Sequence, residues 1–222
     1  MHSPFVYDFI RNVINNNNKY EPPDDIENVR HSLLLDERII NIHEMGAGSR
    51  KDNSEKRSVR SIAQTALKTK KYSLLLFRLV RHYNPEFILE LGTSLGITTS
   101  YLSFANPVNH IITVEGNEQI ATIAKETFNK LNCRNIRLIN DNFDNALPIL
   151  LQQIKYVDFA YIDGNHRYEP TIAYFEQLLQ KINYNSILIF DDIHWSVEME
   201  KAWNEIKDHP AVQYTIDIFF LG

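Results

Sequence analysis

Five apolar runs, at 87–91, 111–114, 136–139, 157–162 and 187–190, each end in acid: Glu90, Glu115, Asp141, Asp163, and the pair Asp191 and Asp192. If the runs are parallel strands, their carboxyl ends share one edge of a sheet, which is where open α/β sheets bind ligands. Six carboxylates at one edge repel each other. A cationic or hydrogen-donating group must therefore lie among them: ribose hydroxyls, an amino group, a sulfonium or a metal ion. Acids that merely cap the following helices would explain one or two of these positions, but not all of them.

The first acid runs into Gly92-Thr93-Ser94-Leu95-Gly96-Ile97-Thr98-Thr99-Ser100. Gly92 and Gly96 can take backbone angles that other residues avoid and let a ligand approach the main chain. Thr98, Thr99 and Ser100 suit a helix start, with its unpaired N–H groups. Glu115 follows Glu90 by 25 residues, at the end of the next strand, where a carboxylate can accept from both hydroxyls of a ribose. NAD-dependent oxidoreductases place an acid similarly, but their turn reads G-x-G-x-x-G and seats a pyrophosphate. Here the turn is Gly92-x-x-x-Gly96, and Glu90 precedes it. That charge disfavours a pyrophosphate and suits a cationic cofactor, so NAD is the weaker reading.

Amphipathic helical stripes separate the strands: Ile120, Ile123, Ala124, Phe128 and Leu131; Ile172, Phe175, Leu178, Leu179 and Ile182; Met199, Ala202, Trp203 and Ile206. Strand–helix alternation at this spacing predicts an α/β, Rossmann-like, doubly wound and mainly parallel sheet with helices on both faces. The chain of 222 residues has room for one such domain, at 71–222, plus an N-terminal helical extension with a polar flap, at 1–70. A 44% hydrophobic content is enough for a sizeable core. The net charge of -5 argues against a general nucleic-acid partner. A single cysteine, Cys133, excludes an internal disulfide. No apolar run approaches the roughly 20 residues that cross a membrane, and Met1-His2-Ser3-Pro4 lacks a signal-peptide plan. A cytoplasmic protein with no membrane partner is expected.

In the extension, Phe5, Phe9, Ile10, Val13 and Ile14 predict one short helix, and Ile26, Val29, Leu33 and Leu34 a second. Helices this short need tertiary support, from the main domain or a second subunit. Glu44-Met45-Gly46-Ala47-Gly48-Ser49 imitates a nucleotide loop, but Arg50 to Arg57 has no apolar face for a crossover helix, so the region reads as a flap. From Arg50 to Lys71 eight basic residues face two acids. That stretch is either a solvated face or a lid that recognises an anionic substrate. At the other end, the apolar run 216–221 offers one last strand. A bare apolar edge there invites pairing with another chain, as in a homodimer.

Glu90-Leu91-Gly92-Thr93-Ser94-Leu95-Gly96, followed by Glu115, resembles the first two motifs of class I S-adenosylmethionine-dependent methyltransferases. Asp158-Phe159-Ala160-Tyr161-Ile162-Asp163-Gly164-Asn165-His166 and Ile189-Phe190-Asp191-Asp192-Ile193-His194-Trp195 resemble the metal-linked catechol and caffeoyl-CoA type O-methyltransferases. They resemble still more a broad bacterial group of uncharacterised relatives, as do His2-Ser3-Pro4-Phe5 and the Gly46 loop. The likeness covers residues 72 to 205 and implies S-adenosyl-L-methionine as cofactor. Gly92, Ser94 and Gly96 would hold its methionine end, with Thr98 near the carboxylate. Glu115 would bind the ribose, and Asp141, Asn142 and Phe143 would frame the adenine; Phe143 is equally suited to the core. Asp163, Asp191 and Asp192 would hold Mg²⁺ or another divalent cation.

Two positions depart from the catechol type. His166 stands where a lysine serves as base; a histidine is competent near neutral pH. Asp192 stands where asparagine is usual, and could instead cap the helix that starts near Ser196. His194 and Trp195 are candidates to line the acceptor pocket, although Trp195 would also serve to cover the sheet edge. The implied activity is O-methylation of a small molecule with metal assistance, His166 and Asp163 carrying the chemistry, and the basic stretch from Arg50 hints at an anionic acceptor. A cofactor-binding regulatory module without turnover is the alternative.

Overall fold

The computed structural model describes residues 3–15, 21–42 and 56–222. Five strands form one parallel sheet: β3 (Phe87–Leu91), β4 (His110–Glu115), β5 (Ile136–Asn140), β6 (Phe159–Ile162) and β7 (Ile187–Phe190), in the order β5-β4-β3-β6-β7. The chain winds outward from β3 to β5, then returns to the other side of β3 at β6. The direction of winding thus reverses between β3 and β6, and the loops that follow these two strands diverge to leave a crevice. The first and last apolar runs match their strands. The others shift by one or two residues, because ladder hydrogen bonds, not apolarity, set strand ends.

Alternate side chains feed two cores. Ile88, Phe159, Tyr161 and Ile189 face one side, together with α4 (Lys70–Tyr83) and α5 (Ile97–Ala105). Leu89, Leu91, Ile162 and Phe190 face the other, under α7 (Phe143–Gln153), α8 (Tyr168–Leu179) and α9 (Val197–Lys207). The predicted stripes lie on α6 (Glu118–Lys130), α8 and α9. α7 was not foreseen. Pro148 interrupts its pattern, yet Leu147, Leu150 and Leu151 bury a full face, which outweighs the hydrogen bond that proline forfeits.

The two N-terminal helices pack on this body. α1 (Pro4–Phe9) continues into a π-helical turn, Ile10–Ile14, and α2 (Asp25–Leu34) follows. Phe9, Val13, Ile26 and Leu33 are buried in the same core as Leu76, Phe77 and Val80 of α4. Part of the expected flap is regular structure. β1 (Ile39–Asn41) pairs antiparallel with β2 (Lys56–Ser58), and Ser58 caps α3 (Val59–Ala66) by accepting from Ser61 N at 3.1 Å. The glycine loop at Gly46, and Arg50 and Lys51, lie outside the described residues. The solvated-face reading fails for two basic residues. Arg57 is buried and donates from Nη2 to Thr65 Oγ1 at 2.7 Å, and Lys68 points inward to aspartates.

The last residues cover part of the β7 edge. Phe190 and Gly222 exchange both main-chain hydrogen bonds, at 2.9 and 3.0 Å, the pattern of an antiparallel pair. A tight turn with Phe219 at φ +64° precedes it.

Ile26, fully buried on α2, tests whether the extension is integral. Ile26→Ala is expected to lower stability by about 2–4 kcal/mol with a single unfolding transition, read by urea denaturation followed by far-UV circular dichroism.

Candidate active site

The β3 turn is built by close approach. A Cβ on Gly92 would lie 1.9 Å from the Asp163 carbonyl oxygen, and Gly92 sits at φ +107°. Only glycine lets β3 and β6 meet at the crevice floor. Gly96, at φ +82°, opens α5, and a Cβ there would lie 2.7 Å from the Phe128 ring. Glu115 at the end of β4 fastens the turn. Its Oε2 accepts from Ser94 N at 2.9 Å and its Oε1 from Asn117 N at 3.0 Å. Each oxygen keeps a lone pair, and burial pushes the carboxyl up from its usual range.

Glu90 is fully buried. Its Oε2 accepts from Thr99 Oγ1 and Thr113 Oγ1, both at 2.5 Å, while Oε1 has no partner. Ser94 Oγ, in the turn itself, is equally unpartnered. A buried unpaired carboxylate oxygen is costly and marks a place for a ligand's donor. Burial, reinforced by the charges of Asp163 and Glu115 and opposed by the two threonines, pushes Glu90 up to about 7. Thr98 is buried in the first turn of α5. After β5, Asp141 Oδ1 accepts from Asn142 N at 2.7 Å, and Asn142 caps α7 by accepting from Asp144 N at 2.9 Å. Phe143 lies against Gly164, where an added Cβ would approach its ring to 2.5 Å, and meets Tyr174 edge-on. It therefore belongs both to the core and to the rim of the crevice.

The second half of the site lies at the ends of β6 and β7. Asp191 has a side chain with no exposure. Tyr161, also fully buried, hydrogen-bonds through its hydroxyl to Asp163 Oδ2 at 2.9 Å and Asp191 Oδ2 at 2.8 Å. Lys68 Nζ is in direct contact with Asp191 Oδ2 and 3.9 Å from Asp192 Oδ1. Burial opposes the ammonium charge, but Asp163, Asp191 and Asp192 together outweigh it and hold Lys68 protonated. Asp191 is pushed up to about 7 by burial and by Asp163, against the pull of Lys68. His166 Nε2 lies 3.6 Å from Asp163 Oδ1 and 3.9 Å from Asp192 Oδ2. Burial lowers its pKa although Asp192 and Asp191 pull the other way, so the imidazole is neutral near pH 7. Asn165, His166 and Asp192 all have positive φ, and this strained turn geometry aims them.

Trp195 stands beside His166, ring centroids 6.4 Å apart. His194 turns away: its Nε2 meets Asp217 at 3.0 Å and its Nδ1 lies 3.5 Å from Glu200, all three exposed. Asp192 does not cap α9, because Ser196 does so itself, accepting from Met199 N at 3.2 Å. Sequence reasoning missed Tyr161 and Lys68. Period two along β6 puts Tyr161 on the same face as Asp163, a usable signal. Nothing local in a basic stretch singles out Lys68. Among the described residues, no group of three or more His, Cys, Asp or Glu is arranged to hold a metal ion, and no helix is long and apolar enough to cross a membrane.

The sheet order, the glycine turn at the reversal of winding and the acid at the end of β4 give the chain a Rossmann-like methyltransferase fold. Residues 89–193 match a family model described as "Methyltransferase domain". A 76-residue stretch is 33% identical to a tRNA (guanine-N(7)-)-methyltransferase of Mycoplasma mobile, covering 34% of this chain and 38% of that protein. The chain spans between 14% and 62% of the length of three curated relatives that it matches. Among solved structures, the Bacillus cereus O-methyltransferase in complex with SAH superposes with a TM-score of 0.66 at 16% identity, over 90% of this chain and 86% of that one. The O-methyltransferase TomG of Streptomyces achromogenes, in complex with SAM, superposes with a TM-score of 0.60 at 16% identity, over 95% and 81%.

The raised Glu90 makes a pH-dependent prediction for the ligand-free protein. The folded state keeps its proton up to about pH 7, whereas the unfolded chain loses it near the ordinary glutamate value of 4.5. Its contribution to stability is therefore complete below pH 4.5 and lost as pH rises through 7. Glu90→Gln is expected to match the parent near pH 5 and to exceed it at pH 8 by on the order of 2 kcal/mol, measured by urea denaturation at both pH values.

Proposed function

We propose that this chain transfers a methyl group from S-adenosylmethionine to an oxygen of a small-molecule acceptor. The unpartnered Glu90 Oε1, buried at a glycine turn beside Glu115, carries the reading. It asks for a cationic donor in the crevice, while Glu115 keeps two lone pairs for hydroxyls. Gly92, Ser94 and Gly96 would hold the methionine end, Thr98 its carboxylate and Glu115 the ribose. Asp141, Asn142 and Phe143 would border the adenine. The cofactor supplies a methyl group on a sulfonium, which leaves as a neutral thioether.

The chain's own residues then position the acceptor and move one proton. His166 Nε2 takes the proton of the acceptor hydroxyl as the O–C bond forms and the S–C bond breaks. Asp163 and Asp192, within 4 Å of that nitrogen, stabilise the imidazolium that results. Trp195 beside His166 walls the acceptor side. Holding the two reactants in line supplies on the order of 7–11 kcal/mol of the barrier reduction. Transfer to oxygen is supported by the O-methyltransferases among the structural neighbours. The net charge of -5 favours a small acceptor over a nucleic acid. The divalent cation expected on Asp163, Asp191 and Asp192 does not fit this arrangement, because Lys68 already sits against Asp191.

Calorimetric titration of the whole chain with S-adenosylhomocysteine, and in parallel with NADH, tests the cofactor. The former alone should bind, and Glu115→Ala should weaken it by roughly tenfold or more, the worth of hydrogen bonds to a charged group. On a phenol or hydroxy-acid acceptor found by mass spectrometry, His166→Ala should cut kcat by about 10²–10⁴-fold with S-adenosylhomocysteine affinity retained. NADH binding in place of S-adenosylhomocysteine would overturn the reading.

A further inference from the structure

Lys68 reaches the site from outside the strand–helix repeat, on the link 67–69 between α3 and α4. Its side chain is 13% exposed. Its main chain is held: the Lys68 carbonyl accepts from Arg30 Nη1 of α2 at 2.7 Å. Arg30 is paired with Glu27 at 2.9 Å, and Glu27 accepts from the Tyr101 hydroxyl of α5 at 2.7 Å. On the other side, Thr69 O accepts from Tyr72 N and Ser73 N, both at 3.0 Å, to open α4. Three helices thus fix where the lysine stem begins.

We propose that Lys68 is the resident cation of this active site, seated where a divalent ion would have to bind among Asp163, Asp191 and Asp192, and that it offers an N–H to an anionic oxygen of the acceptor. The contact with the acceptor rests on the methyltransferase reading; the cation assignment rests on geometry alone. An ammonium has three donors, and Asp191 and Asp192 take two at most. The third is left for the crevice. The Tyr161 hydroxyl lies 2.9 Å from Asp163 Oδ2 and 2.8 Å from Asp191 Oδ2, and its one proton takes a lone pair from this pair of carboxylates, which leaves fewer for a metal. A magnesium or calcium ion needs six or more oxygen ligands and would be repelled by the neighbouring ammonium. Lys68 could give way only by rotating its buried stem out, which would take from the buried Asp191 its cationic partner. A fixed lysine also prefers an acceptor that carries its own negative charge, such as an acidic phenol or a hydroxy acid, over a neutral alcohol.

The test is a Mn²⁺ titration of the whole chain saturated with S-adenosylhomocysteine, read by electron paramagnetic resonance. The parent should show no saturable Mn²⁺ binding that Asp192→Asn removes. Lys68→Met should open the carboxylates and raise Mn²⁺ affinity by roughly tenfold or more, a gain that Asp192→Asn in the same chain abolishes. Lys68→Arg, which keeps the charge, should stay insensitive to Mn²⁺. Saturable binding by the parent that depends on Asp192, or a folded Lys68→Met chain that gains none, would overturn the assignment. If Lys68→Met does not fold, the comparison of the parent with Asp192→Asn decides by itself. Failure of S-adenosylhomocysteine to bind would remove the methyltransferase reading and leave the Mn²⁺ result to judge Lys68 separately.

Discussion

Carboxylates buried at the edge of a parallel sheet lose their hydration and repel one another, and the arrangement of this protein follows from how that cost is met. At the ends of β6 and β7 it is met by an ammonium, Lys68, and a phenol, Tyr161. At the end of β3 it is met only in part, by two threonine hydroxyls on one oxygen of Glu90. The β6–β7 half is neutralised in advance, which fixes the side chains there. The β3 half is left with an unpaired oxygen, which is what a crevice for a cationic ligand requires.

Close backbone packing joins the two halves. Gly92 lies so near the Asp163 carbonyl that no side chain fits between them, and Asp163 N donates to Leu91 O at 2.8 Å. The glycine turn and the proposed acceptor site are therefore one rigid floor. The extension is a third part of the same construction. Its Arg30 holds the Lys68 main chain, and its apolar residues are buried in the core that also contains Tyr161. It is as much a support for the site as a cover for the sheet.

The basic stretch shows why one region can be misread. Counting charges gives its average character, and an average of solvated lysines and arginines is the ordinary outcome. Arg57 and Lys68 depart from that average because each meets specific acceptors contributed from elsewhere in the fold: Thr65 on the facing turn of α3 for the first, Asp191 more than a hundred residues away for the second. His194 errs in the opposite direction. It neighbours Asp192 in sequence, but the chain turns at Asp192, φ +53°, and delivers the imidazole to Asp217 at the surface.

The amino-acid sequence by itself determined the strand–helix alternation, the parallel sheet and the carboxylates at its edge, because apolar periodicity and strand-end acids are local patterns. It also determined the glycine turn, whose backbone angles admit few other residues. Only the tertiary structure decided what neutralises those carboxylates. The choice between a metal, a ligand and an amino group depends on which distant side chain reaches the sheet edge. Lys68 does so because three helices carry it there, a fact of packing that no spacing in the chain encodes.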